Sequence, residues 1–116
     1  MQTDDRVIYE IDIPEEFRTK NGETAVGMVE LSTKEEKNVR KRCRAQPENI
    51  QDELVKESIL EISGRDVRGA RHEVDKLWDH ALSRLRILLT GAYQKINFPD
   101  DDAVDGFLNG RRIKTT

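Results

Sequence analysis

His72, Asp75 and Asp79 stand at i, i+3 and i+7, so any helix that carries them presents one imidazole and two carboxylates on a single face. That is a ligand set for a divalent metal. No fourth ligand is indicated and the H-E-x-x-H pattern is absent, so the three read better as a solvated charged face. A second acidic group invites comparison with a calcium loop, with Asp101, Asp105 and Gly106 at loop positions one, five and six. Ala103 falls where the third position needs an oxygen ligand, and Arg112 falls where the twelfth needs Glu. Helix capping accounts for these acids better. Cys43 lies between Arg42 and Arg44, cations that lower a thiol pKa and favour the nucleophilic thiolate. No histidine is near it in sequence, and its i, i+4 spacing from Val39 places it as a small buried hydrophobe. No G-x-S-x-G turn, phosphate loop or dinucleotide fingerprint occurs. The expectation is a protein that is not an enzyme, with no catalytic residue, metal or cofactor.

Lys34, Lys37, Arg40, Lys41, Arg42 and Arg44 concentrate positive charge in one short segment that can contact phosphates. Arg40, Lys41, Arg42 and Arg44 are the candidates for such a role. The whole chain is acidic, with a sequence pI near 5.5. No aromatic residue interleaves the cluster, and Glu35 and Glu36 dilute its start. A solvated helix face is the stronger reading, and nucleic acid is not the expected partner.

The elements that must position these residues follow from the spacing of apolar ones. In 116 residues there are 20 Lys and Arg against 23 Asp and Glu, and 37% of the chain is charged. The 29 Ile, Leu, Val and Phe residues are about a quarter of it, above the roughly 20% below which disorder is the default. One small domain over 1–116 is expected, with no membrane span because no long apolar run exists. The opening residues lack the basic and apolar regions of a secretory signal, and one cysteine fits a reducing compartment, so a cytoplasmic location is expected.

Val7, Tyr9, Ile11 and Ile13 alternate with polar residues, predicting a strand up to Pro14. A turn at Lys20-Asn21-Gly22 and an extended run over 24–31 complete an N-terminal β-hairpin, with Glu15, Glu16 and Phe17 in its loose connection and Gly27 marking a bulge or an edge. Ser32 and Glu35 have capping-box spacing, opening a helix to about residue 45. A second helix is predicted over 48–62, closed by Ser63-Gly64, with a polar connector over 65–70. Trp78, Ala81, Leu85, Leu88 and Ala92 recur at helical steps and Leu77, Leu82, Leu89, Tyr93 and Ile96 widen the stripe, predicting one long central helix over 72–96. A last short helix carries Val104, Phe107 and Leu108, and the basic tail 111–116 is expected to fray. The fold class is therefore α+β: a hairpin region over 1–31, then about four helices over 32–110.

Trp78, a helical run with Arg84 and Arg86, the segment Ala92-Tyr93-Gln94-Lys95-Ile96-Asn97-Phe98-Pro99, the acids Asp100 to Asp102, and Phe107-Leu108 before a basic-apolar tail form a pattern over residues 78–114. It resembles the small tail assembly proteins of tailed bacteriophages, with weaker likeness over 23–31 and in the capped helix after it. The resemblance implies a non-enzymatic tail assembly chaperone in the host cytoplasm that binds the tape-measure protein or the tail-tube protein. A structural connector or tail-completion protein is the alternative, and a nucleic-acid-binding regulator using the basic helix is a third reading. The stripe of the long helix exceeds what two small helices and a hairpin can cover, which points to a partner or to self-association as a homo-oligomer. Leu88, Leu89, Tyr93, Phe107 and Leu108 are the candidate partner-binding residues.

Overall fold

Alternating side chains build the sheet first. The structure, a computed structural model, describes residues 5–98 and the strand Ile113–Lys114. Strand β1 (Ile8–Asp12) pairs antiparallel with β2 (Ala25–Met28), giving the N-terminal hairpin that the alternation predicts. A 3-10 turn over Glu15–Phe17 lies in the connection. Gly27 marks a bulge, since the β2–β3 register shifts between Gly27 and Met28. A Cβ at Gly27 would stand 2.9 Å from Ile8 Cγ2 and 3.0 Å from Glu61 Cβ, so the close approach of the strands requires glycine.

Helix α1 (Thr33–Arg42) starts on the expected capping box: the Glu35 amide donates to Ser32 Oγ at 3.1 Å and the Ser32 amide to Glu35 Oε1 at 2.8 Å. It ends at Arg42, three residues before the predicted end. After a 3-10 turn at Pro47–Asn49 comes α2 (Ile50–Ser58), and here the structure corrects the sequence. The predicted helix over 48–62 stops at Ser58, and Ile59–Ile62 form strand β3, paired antiparallel with β2. The switch has a visible cause. The Arg71 guanidinium donates to the carbonyls of Lys56 at 2.7 Å and Ile59 at 2.8 Å, while the Val29 amide takes the Ser58 carbonyl at 3.0 Å. Ser63 and Gly64 both have positive φ, as a two-residue hairpin turn needs, and lead into β4 (Arg65–Asp66) where the sequence predicts a plain connector.

The second correction concerns the long helix over 72–96, which is two helices. α3 (Arg71–His80) and α4 (Ser83–Asn97) meet at Ala81 and Leu82, both in extended backbone. Arg86 bridges the break, with Nη2 donating to the Trp78 carbonyl at 2.8 Å and its guanidinium 5.3 Å from the centre of the Trp78 ring. Asn97 fixes the far end of α4: its Oδ1 accepts the Leu31 amide at 2.9 Å and its Nδ2 donates to the Tyr93 carbonyl at 3.0 Å. A third difference is β5 (Ile113–Lys114), which pairs antiparallel with the free edge of β1 in the tail expected to fray. The sheet order is β4-β3-β2-β1-β5, with two-residue strands on both edges. The predicted helix carrying Val104, Phe107 and Leu108 lies outside the described residues.

Each of the four α-helices among the described residues contributes to one apolar core. Val39 and Cys43, Leu54 and Val55, Leu77 and Trp78, and Leu85, Leu89, Ala92, Tyr93 and Ile96 pack with Ile11, Val26, Met28, Ile59 and Ile62 of the sheet. Ile8, Val29 and Leu60 form a second cluster through the opposite phase of the strands. The result is an α+β fold.

Candidate partner-binding groove

α2 and α4 pack together, and α1 packs against α2, so one flank of α2 lies between two other helices. A groove of about 390 Å³ runs there, lined by Arg40, Gln51, Leu54, Tyr93, Gln94, Lys95 and Phe98. Leu54 and Tyr93 are buried and form its floor, while Phe98, 69% exposed, stands at its mouth. The Tyr93 and Phe98 rings meet edge to face at 6.4 Å between centres. Both charged lining residues are cations, Arg40 from α1 and Lys95 from α4. Burial first, then the charge of nearby Glu36, raises the Tyr93 pKa from its ordinary value of 10.0, with Arg40 acting in the opposite direction. At neutral pH the phenol is therefore protonated. An apolar floor with a cationic rim suits anchoring of apolar side chains beside carboxylates.

The candidate surface residues separate in the structure. Leu89 is buried in the core and Leu88 is half-buried against it, so the expectation that these two form a partner surface is corrected, while Tyr93 is buried and borders the surface only as part of the groove floor. Phe107 and Leu108 lie outside the described residues. Breaking the long helix explains the difference. A stripe too broad for one straight helix belongs to two helices that enter the core separately, and the phase of α4 turns Leu85, Leu89, Ala92, Tyr93 and Ile96 inward. The same phase leaves Ile87 outside at 71% exposure. Ile87, Gly91 and Gln94 follow at i, i+4 and i+7 on one face of α4, and Phe98 stands at its C-cap, about 16 Å from Ile87 at 1.5 Å per residue. Ile87 and Phe98 lie off the apolar stripe that the sequence shows, one on the far side of the helix and one at its end, so the stripe alone gives no sign of them. Leu82, at the join, is 70% exposed.

The basic helix also divides. Arg42 reaches across to α2, with Nη2 at 3.7 Å from Glu53 and 3.4 Å from Glu57. Arg40, Lys41 and Arg44 are exposed, and only Arg40 lines the groove. Cys43 is buried in the core, the place its spacing from Val39 predicts. Asp75 pairs with Lys56 at 2.9 Å, while His72 is exposed at 3.7 Å from Glu73. Among the described residues no three His, Cys, Asp or Glu side chains are grouped to hold a metal ion. No described helix is long and apolar enough to cross a membrane. The calcium-loop comparison over 101–112 falls outside the described residues. Comparisons with models of protein families, with curated proteins and with solved structures find no match to this chain.

Proposed function

We propose that the protein is a non-enzymatic tail assembly chaperone of a tailed bacteriophage, binding the tape-measure or tail-tube protein reversibly in the host cytoplasm until polymerisation. The observation that carries this reading is the outer face of α4. Ile87 and Phe98 remain 71% and 69% exposed although the core beneath them is filled, and Phe98 opens onto a groove with an apolar floor. Large apolar side chains left outside a filled core favour association with another chain. A tape-measure protein, as a long helical chain with apolar stripes, offers the complementary surface for docking a helix in a groove.

Co-expression with tail-tube and tape-measure fragments tests the proposal. A complex with one of them that survives gel filtration is expected. A monomer with no affinity for either sinks it. Mass spectrometry of mature particles separates the chaperone from a connector or tail-completion protein, because a chaperone is absent from the finished virion and a structural component is present.

A further inference from the structure

The groove differs from the Ile87 face in carrying charge of one sign, which restricts what can occupy it. We propose that it receives an acidic amphipathic helix of the partner, with apolar side chains against the floor and Phe98 and carboxylates against Arg40. This rests on the reading of the protein as a partner-binding module and specifies the partner's chemistry. Charge complementarity carries the choice. Both charged lining residues are cations, and the exposed side chain of Lys37 stands one turn before Arg40 on α1. Glu36, half-buried, is the carboxylate whose charge reaches Tyr93, and it does not line the groove. α4, which supplies Lys95, contains no acid. A helix fits better than an added strand, because both edges of the sheet end in two-residue strands and the groove runs between helices.

The volume supports side-chain anchors. About 390 Å³ is at the small end of ligand sites, which run from about 300 to 1,000 Å³. Space of that size takes one or two large apolar side chains from a helix whose backbone stays outside. Ile87 is a separate apolar point about 16 Å, or three helical turns, from Phe98, with Gly91 and Gln94 between them, so an occupying helix can be held at more than one point.

The test uses the full chain and a fluorescein-labelled synthetic amphipathic helix of about five turns, with Leu and Phe on one face and Glu on the other. A matched peptide with Lys in place of Glu serves as the counterpart, and anisotropy reads the binding. The acidic peptide should bind, the basic one should bind at least about tenfold more weakly, and the difference should shrink in high salt. Arg40→Glu should weaken the acidic peptide by roughly tenfold with an unchanged circular dichroism spectrum. Phe98→Ala should weaken both peptides, and Lys20→Glu, in the hairpin turn, neither. Equal binding of both peptides, or an Arg40→Glu variant that binds like the parent, overturns the proposal. So does tighter binding of a single-stranded oligonucleotide that displaces the peptide, or a dimer of the chain that Arg40→Glu dissociates while the peptide does not bind. No tail protein enters this experiment, so a failed titration beside a successful co-expression would place the partner elsewhere on the surface, whereas failure of both would remove the functional reading itself.

Discussion

Two clefts flank α2 and are lined in opposite ways. On one side, a cleft of about 290 Å³ is lined by Arg42, Glu53, Lys56, Glu57, Arg71, Val74 and Asp75. Cations and carboxylates alternate there and meet: Lys56 Nζ lies 2.9 Å from both Glu53 and Asp75, and Arg42 reaches Glu53 and Glu57. On the other side lies the groove, with cations on its rim and apolar groups on its floor. The two hold comparable space, so volume does not distinguish them. Charge balance does, because the first cleft brings both signs together and holds α1, α2 and α3 to one another, whereas the charged side chains lining the second are of one sign.

Substitutions should therefore act on stability on one side and on binding on the other. The largest effect is expected at Arg71, which joins the end of α2 to β3 through two charge-assisted hydrogen bonds. Arg71→Ala should cost about 3 kcal/mol of unfolding free energy in urea titration. Acidic-peptide affinity should be unchanged wherever the variant stays folded. Lys56→Glu, which puts a further carboxylate beside Glu53, Glu57 and Asp75, should cost about 2 kcal/mol.

Alkaline pH distinguishes the sides more gently. Burial lowers the Lys56 pKa, but hydrogen bonds and charge from Glu53 and Asp75 outweigh it and hold the ammonium above its ordinary 10.5. Tyr93 is also raised, mainly by burial. In both cases the native state keeps the proton longer than the unfolded chain. Their contribution is complete below about pH 10 and is lost as pH rises through the folded values. Unfolding free energy should fall above about pH 10, and Lys56→Met should flatten part of that fall. The smallest stability effect belongs to the groove rim. Arg40→Glu and Phe98→Ala should each move the urea midpoint by less than the equivalent of about 0.5 kcal/mol, while weakening the acidic peptide.

The hairpin and the start of α1 were legible in the sequence because their signals are local. Alternation over residues 7–13 and the Ser32–Glu35 capping box each involve neighbours in the chain. The end of α2 was not legible, because what stops it comes from Arg71 and from the pairing of Val29 with Ser58, both distant in sequence. Ile59-Leu60-Glu61-Ile62 carries a weak local sign, an apolar run before a Ser-Gly turn, which also fits a helix end. The break at Leu82 was hidden for a different reason. Trp78 and Leu85 are seven residues apart, in phase for one continuous helix as well as for two helices meeting the same core. The excess width of the stripe is the available signal, and it fits uncovered surface as well as a break. Of the groove, Tyr93 and Arg40 stand out in the sequence, but for separate roles. Their meeting depends on how α1 and α4 flank α2, which no spacing within either helix reveals.

The division of labour between the two clefts is tested most directly by backbone amide spectra of the full chain titrated with the acidic amphipathic peptide. The amides of Arg40, Gln51, Gln94, Lys95 and Phe98 should shift progressively with peptide, while those of Glu53, Glu57 and Asp75 stay in place. Shifts concentrated at Glu53, Glu57 and Asp75, or spread evenly over both flanks of α2, would contradict the account.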